Sequence, residues 1–411
     1  MEVFVERCCG LDVHQAMVVA CVLVGKAGKR PKKEIRTYGT MTRQLEELRD
    51  WLKANDCTHV AMESTGVYWM PVYSVLEDHF DLTVGNAQHM KNVPGRKTDV
   101  KDAEWIAVLM RHGLIEKSFV PPKPIRVLRA LLRYRTKLVQ LQTGERNRLL
   151  KLLETANIKL ASVATNVFGV SGMSMLQALV DDQLSPKDMA QMARGRLRSK
   201  QPQLQLALEG KVEEHHRFLL KLQIRRLEEL AAELEQLDAQ IKLKLEPYAA
   251  QVSLLDDIPG VDWVAAAVII AETGADMSAF HSASHLASWA GVCPGNNESA
   301  GKRRSSRATK GNAHLRTILV QAAMAASRTK GTYFKDKFFR LKARRGAKRA
   351  ALAIAHKILT AAYHMLSTGE LFRELGEAYL DHHQASRTKT SLVRRLERLG
   401  YEVTLNQIAA P

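Results

Sequence analysis

The chain has 411 residues, of which 46% are hydrophobic and 25% charged. That is the balance of a folded protein, and the length exceeds what one hydrophobic core serves, so two or three domains are expected. A total of 61 Lys+Arg against 43 Asp+Glu gives a net charge of +18 and a pI near 9.7, which favours a polyanionic partner through counterion release and long-range attraction. The same sequence argues against a membrane-spanning or disulfide-stapled chain: apolar runs such as Val264 to Ala271 are too short to cross a bilayer, and Cys8, Cys9, Cys21, Cys57 and Cys293 form no CxxC pair or zinc spacing. Charges interrupt the N-terminal stretch MEVFVERCCGLD where a signal peptide would need an apolar core, so a cytoplasmic protein with no membrane partner is expected.

Residues 1–124 alternate strand and helix signals. CCGLDVHQAMVVACVLV reads as two strands joined by a tight turn, TRQLEELRDWLKAN as an amphipathic helix and THVAME as a short buried strand. VYWMPVYSVLEDH then reads as a second helix and DLTVGNA as another strand. The order β-β-α-β-α-β implies a mixed sheet flanked by helices, and PPKP at 121–124 marks its boundary. A long helix is expected over 125–160, with an apolar stripe of Leu128, Leu131, Leu138, Leu141, Leu149 and Leu152 beside a basic stripe of Arg126, Arg129, Arg133 and Lys137. Residues 161–210 are broken by Gly, Pro and Ser and give no firm pattern. Leu227, Leu230, Leu234, Leu237, Ile241 and Leu245 step by three and four, predicting an antiparallel hairpin, an intermolecular coiled coil or a core helix of the same chain. The region 125–249 is thus a helical and coiled-coil linker.

Residues 250–365 read as a second helical domain. DDIPGVDWVAAAVIIAETG has the form of a helix-hairpin-helix segment, whose Pro259–Gly260 turn can offer backbone N–H groups to a phosphate; a plain tight turn is the alternative. From Gly301 to Ala350 there are 16 Lys+Arg and a single acid, Asp336, which locates a nucleic-acid contact in this stretch, with Lys302, Arg303, Arg304, Arg307, Lys310 and Arg316 as its candidate residues. The tail, 366–411, ends in the amphipathic stretch TSLVRRLERLGYEV and has no readable role.

Two groups of residues carry chemistry. Asp12 lies inside an apolar strand, where a charge is costly unless a metal or cation meets it. Glu63 ends a second buried strand, from which a carboxylate can converge on a neighbouring one. Asp99 and Asp102, in GRKTDVKDAEW, are spaced i and i+3 at a helix start, so they share one face; ordinary helix N-terminal charge is their alternative reading. Phosphodiester transfer uses Mg²⁺, with Mn²⁺ as a substitute, held by carboxylates of this kind, and a ribonuclease-H-type sheet supplies the geometry. Ser299, in NNESAGKRR, is flanked by Gly301 and by cations able to clamp a phosphate, yet no histidine or acid is placed as its base. Residue chemistry alone leaves that serine open between a nucleophile and a polar turn.

The stretches GLDVH, MESTGVYW, KTDVKDAEWIAVLMRHGLI, DDIPGVDWVAAAVIIAETG and SWAGVCPGNNESAGKRRSSRATKGNAHLRTILVQAA resemble, in order, the DEDD transposases of the insertion-sequence-110 family, the bridge-RNA-guided recombinases. The resemblance covers most of residues 8–365. It implies a Holliday-junction-resolvase-like, ribonuclease-H-like N-terminal domain whose four acids are Asp12, Glu63, Asp99 and Asp102. It also implies a C-terminal helical transposase domain with Ser299 as nucleophile, a covalent phosphoserine intermediate and Mg²⁺ assistance. Donor and target DNA would be selected by a structured noncoding guide RNA, and a homodimer assembling to a tetramer would unite the two clusters. The family's usual serine–glycine–glycine–lysine order is broken here by Ala300, which restricts the backbone while keeping the hydroxyl, and Glu298 sets a negative charge beside the serine. The competing readings are a metal-only junction nuclease with a structural serine and a noncatalytic nucleic-acid-binding protein.

Overall fold

The computed structural model describes residues 3–64, 66–86, 90, 102–294, 297–299, 302–305, 308, 310–383 and 385–405, with backbone alone at 297–299, 302–305 and 387. Asp99, Ala300, Gly301 and Arg307 lie outside the described residues. The chain divides into two compact units, residues 1–120 and 121–411.

The first unit is a five-stranded mixed sheet. Its strands are β1 (Arg7–Val13), β2 (Met17–Val24), β3 (Lys32–Gly39), β4 (His59–Glu63) and β5 (Asp81–Gly85), in the order β3-β2-β1-β4-β5. β2 is antiparallel to both β1 and β3, while β4 is parallel to β1 and β5. Alternation divides the side chains between two cores. Cys9, Leu11, Val13, Val60 and Met62 pack on one face with α1 (Thr42–Ala54) and α2 (Trp69–Leu76), through Leu48, Leu52, Val72 and Leu76. Cys8, Cys21 and Ala61 pack on the other face with Ile106, Ala107 and Leu109 of α3 (Asp102–Arg111). The strand β3, KKEIRTYG, is not anticipated by the sequence pattern: it is an edge strand with no buried residue, so burial leaves no alternation to read.

Among its described residues, the second unit is helical apart from one hairpin. After Pro121 come α4 (Lys123–Thr155), the short helices α5 (Leu160–Val163), α6 (Val170–Asp181), α7 (Pro186–Gln191) and α8 (Gln201–Leu208), and the long α9 (Glu214–Leu245). Arg135 of α4 binds Asp238 of α9, whereas Leu149 and Leu153 share a core with Leu220, Ile224 and Leu227, so the two long helices run antiparallel within one chain. The short helices fill the same core through Leu160, Met175, Leu176, Met189 and Leu204, which gives residues 161–210 their place. The apolar face of α4 is rotated from the expected stripe: Leu132 and Leu153 are buried, while Leu141 is exposed.

There follow α10 (Ala249–Asp256), α11 (Trp263–Thr273), α12 (Ala283–Trp289), the hairpin β6 (Asn297–Ser299) and β7 (Lys302–Ser305), and α13 (Ala313–Ala326). α14 (Tyr333–Arg345), α15 (Ala347–Thr368), α16 (Tyr379–His383) and α17 (Ala385–Glu397) complete the described chain. α11 is buried almost all round, as its run AAAVIIA requires, and Asp262 caps its start by accepting the Ala265 N–H at 2.8 Å. Among the described residues, no helix is long and apolar enough to cross a membrane.

Candidate active site

Asp12 and Glu63 stand at the carboxyl ends of two neighbouring parallel strands. The pairing of Leu11 with Met62 puts Asp12 and Glu63 one residue further along at the same level. Leu11 and Met62 both face the α1–α2 core, so alternation turns Asp12 and Glu63 to the opposite face, the one that α3 covers. Gly10 is what lets α3 lie so close. A Cβ there would come within 2.3 Å of the Ala103 carbonyl oxygen and of the Ala107 nitrogen, so only glycine admits the helix backbone.

The direction of α3 then places its acid. Its C-terminal Arg111 accepts the N–H groups of Phe4 and Val5 on its carbonyl, ahead of β1, while its first turn lies against Gly10. The helix therefore runs antiparallel to β1 and carries Asp102 toward the end of the sheet where Asp12 and Glu63 stand. The buried Arg111 guanidinium fixes the other end by donating to the carbonyls of Glu6 at 3.2 Å and Gly25 at 2.9 Å. Asp12 is one-quarter exposed, and its Oδ2 lies 3.1 Å from His14 Nε2, a neighbour that sequence reading passed over.

These three acids are thus brought to one face and one end of the sheet, and the fourth, Asp99, is outside the described residues. They suit a hard divalent cation by donor type. Their oxygens are not closed to a common ligand spacing: among the described residues, the group whose ligand atoms lie within 4.8 Å of one another is Glu213, His215 and His216. That second group has an ordinary account at the start of α9. His216 is buried with its Nδ1 accepting the Glu213 N–H at 3.2 Å, so its lone pair caps the helix. Burial pushes Cys8 up to about 11 and Cys21 and Cys57 up to about 12, which keeps them protonated at neutral pH.

Ser299 stands at the end of β6, paired with Lys302 across the hairpin, with Arg303 opposite Glu298. Lys302, Arg303 and Arg304 are consecutive on β7, Lys310 is exposed, and Arg316 is half-buried in the first turns of α13. Pro259 and Gly260 form the expected turn between α10 and α11, but Gly260 also has a packing duty. Its φ is +86°, and a Cβ there would meet the Ala322 carbonyl at 2.4 Å, so the turn is pressed on α13.

A charged node near the hairpin escaped the sequence reading. Glu272, 2% exposed, takes a forked pair of bonds from Arg133, with Nε to Oε1 and Nη2 to Oε2 both 2.8 Å, and a third from Asn312 Nδ2 at 2.7 Å. Arg129 reaches the same carboxylate at 3.3 Å and donates to the carbonyls of Ala271 and Glu272, both at 2.9 Å. Burial pushes Glu272 up, but the Arg133 bonds, the Arg129 charge and the Asn312 amide more than offset it, so its carboxyl sits below the usual range. Burial also draws Arg129 down to about 10 against the pull of Glu272, which still leaves it charged at neutral pH. The two directions pull against each other; the forked geometry favours the ionised pair. Half of the expected basic stripe of α4, Arg129 and Arg133, is therefore directed to a buried carboxylate. The signal available in the sequence was an acid at the end of VAAAVIIA, a position as anomalous as that of Asp12.

Residues 9–158 match a family model described as a transposase of the DEDD, IS110 type, and residues 252–338 match one described as a transposase of the IS116/IS110/IS902 family. The chain belongs to the IS110 family of transposases. Asp12, Glu63, Asp99 and Asp102 fall within the first match and Ser299 within the second. Over 285 residues this IS110-family chain is 25% identical to y4pF/y4sB of Sinorhizobium fredii, a protein named as a transposase, covering 68% of this chain and 64% of that relative. The chain thus spans just under two thirds of that relative's length.

Proposed function

We propose that this chain is the transposase of an insertion sequence and cuts and rejoins DNA through a covalent phosphoserine intermediate. The observation that carries the reading is the convergence of Asp12, Glu63 and Asp102 on one end of one sheet face, in a mixed sheet of the kind a ribonuclease-H-like nuclease needs. Family membership and the basic segment beside Ser299 support it. Asp12, Glu63 and Asp102, with Asp99, would hold Mg²⁺ or Mn²⁺, which supplies charge neutralisation at the phosphate's nonbridging oxygens.

The protein's own residues do the rest. Ser299 Oγ attacks phosphorus: the O–P bond forms, the bond from phosphorus to the sugar oxygen of the leaving strand breaks, and that oxygen takes up a proton as the serine loses one. The phosphoester conserves the bond for rejoining, when a sugar hydroxyl attacks phosphorus and the serine regains its proton. Lys302, Arg303, Arg304 and Arg307 neutralise the phosphate under attack, and Lys310, Arg316 and the Pro259–Gly260 turn hold the flanking backbone. Contacts of that kind read no sequence; the family resemblance is what assigns selection of donor and target to a structured noncoding RNA that pairs with both. The four acids and the serine act on one phosphodiester, contributed by subunits of a dimer that assembles to a tetramer.

Two substitutions test this reading. Ser299→Ala should abolish the covalent protein–DNA adduct, and Asp12→Asn should abolish cleavage while sparing DNA binding. Strand transfer that survives Ser299→Ala favours a metal-only enzyme, and cleavage that survives Asp12→Asn removes the metal assignment.

A further inference from the structure

We propose that Glu272 and Asn312 are positioning residues for the hairpin that carries Ser299, a role that rests on the reading of Ser299 as nucleophile. The hairpin belongs to an excursion of the chain between α12 and α13 whose two ends cross in direct backbone contact. A Cβ on Gly311 would lie 2.3 Å from the Gly291 nitrogen and 2.5 Å from the Ala290 carbonyl carbon, so the crossing requires glycine at 311. The outgoing end is tied by Gly291 N–H to Ser288 O at 3.0 Å and Val292 N–H to Ala287 O at 3.1 Å, and the returning end by Asn312 N–H to Trp289 O at 3.3 Å. Beyond the crossing, Pro294 bridges to Ala308 and β6 pairs with β7 out to Ser299 and Lys302. The crossing is thus the base of the excursion whose hairpin carries the serine.

Asn312 is the residue that sets the crossing. Its Oδ1 accepts the N–H groups of His314 and Leu315, both at 3.1 Å, which caps α13, and a serine or aspartate would cap as well. Its Nδ2 makes the bond that an aspartate cannot, donating to Glu272 Oε2 at 2.7 Å. The Arg133 fork and Arg129 hold that carboxylate in turn, so α4, α11 and the start of α13 are tied through one buried group. Burying a carboxylate is costly, and an apolar contact of equal volume often stabilises as well or better; what the charged node adds is a fixed direction. Displacing a nucleophile by about 1 Å costs up to about 100-fold in rate, so a directional tie at the hairpin base matters to chemistry more than to folding.

The test exchanges donor and acceptor in the full-length protein. Asn312→Asp keeps the cap but sets two carboxylates face to face. Asn312→Asp with Glu272→Gln re-forms a bond between the two positions with its polarity reversed: the amide at 272 donates to the carboxylate at 312 and its carbonyl still accepts from Arg133 Nε, while the Arg133 Nη2 bond to the shared Oε2 position is given up. With DNA affinity and melting temperature measured alongside, the single Asn312→Asp variant should form the covalent adduct roughly 10- to 100-fold more slowly. The exchange variant, which lacks one arm of the fork, should form the adduct faster than Asn312→Asp without reaching the parent rate. An Asn312→Asp rate equal to the parent's, a loss that only tracks the folded fraction, or a folded exchange variant that stays slow would overturn the role. The control Ser299→Ala separates the failures: an adduct that persists there overturns the nucleophile assignment and this role with it. An adduct lost there but untouched by Asn312→Asp overturns the positioning role alone.

Discussion

A carboxylate inside a protein has to be met by something, and Asp12 and Glu272 are met differently. Asp12 is one-quarter exposed at a strand end, faced by His14 and by the approach of α3, and is one of the acids proposed to hold a divalent cation. Glu272 is enclosed by Arg129, Arg133 and Asn312, so its charge is used in place. The sequence made Asp12 legible because it interrupts an apolar strand. It hid Glu272 because the arginines that answer it lie some 140 positions upstream, where their i, i+4 spacing reads equally well as a surface stripe. The lowered carboxyl of Glu272 has a consequence in solution. A depressed folded value contributes stability that is full above the unfolded value, about 4.3, and is lost as pH falls through the folded value. In urea unfolding of the full chain, the stability gap between parent and Glu272→Gln should hold from pH 7 to about 5 and close as the pH falls below about 4. A gap that stays constant down to pH 3 would show that Glu272 is not held in its charged form.

At the scale of elements, the legible parts are those that bury a face. β1, β2, β4 and β5 and the two long helices all show their periodicity, whereas the exposed edge strand β3 has none to show. The heptad of α9 fixed its apolar seam but not its partner, and the antiparallel pairing with α4 emerges only from Arg135–Asp238 and the shared leucine core. The element that decides the acid cluster is α3, whose seat depends on Gly10. Gly10→Ala must push α3 from β1, because its Cβ would meet backbone rather than a flexible side chain. A loss of about 1–3 kcal/mol in unfolding free energy is expected, as for other overpacked cores. Cleavage by the folded fraction should fall too, since α3 carries Asp102; a Gly10→Ala protein with parental stability and cleavage would contradict this seating.

On the scale of the whole molecule, charge and chemistry are divided between two units. The acids lie in residues 1–120, and the serine with its cations lies in residues 121–411. The net charge of +18 favours a polyanionic partner, and its concentration after Gly301 marks the stretch proposed to meet it. Neither says that two clusters some 200 residues apart serve one reaction; that link comes from the family resemblance. Ser299 is the weakest residue on chemistry alone and the strongest as a test. The protein should be incubated with its element-encoded RNA, matched donor and target DNA and Mg²⁺, and the trapped protein–DNA species digested and mapped by mass spectrometry. A nucleotide phosphate esterified to Ser299 is the predicted product, formed only with the RNA and the divalent cation present. An adduct mapped to another residue, or recombinant DNA formed with no adduct at all, would contradict it.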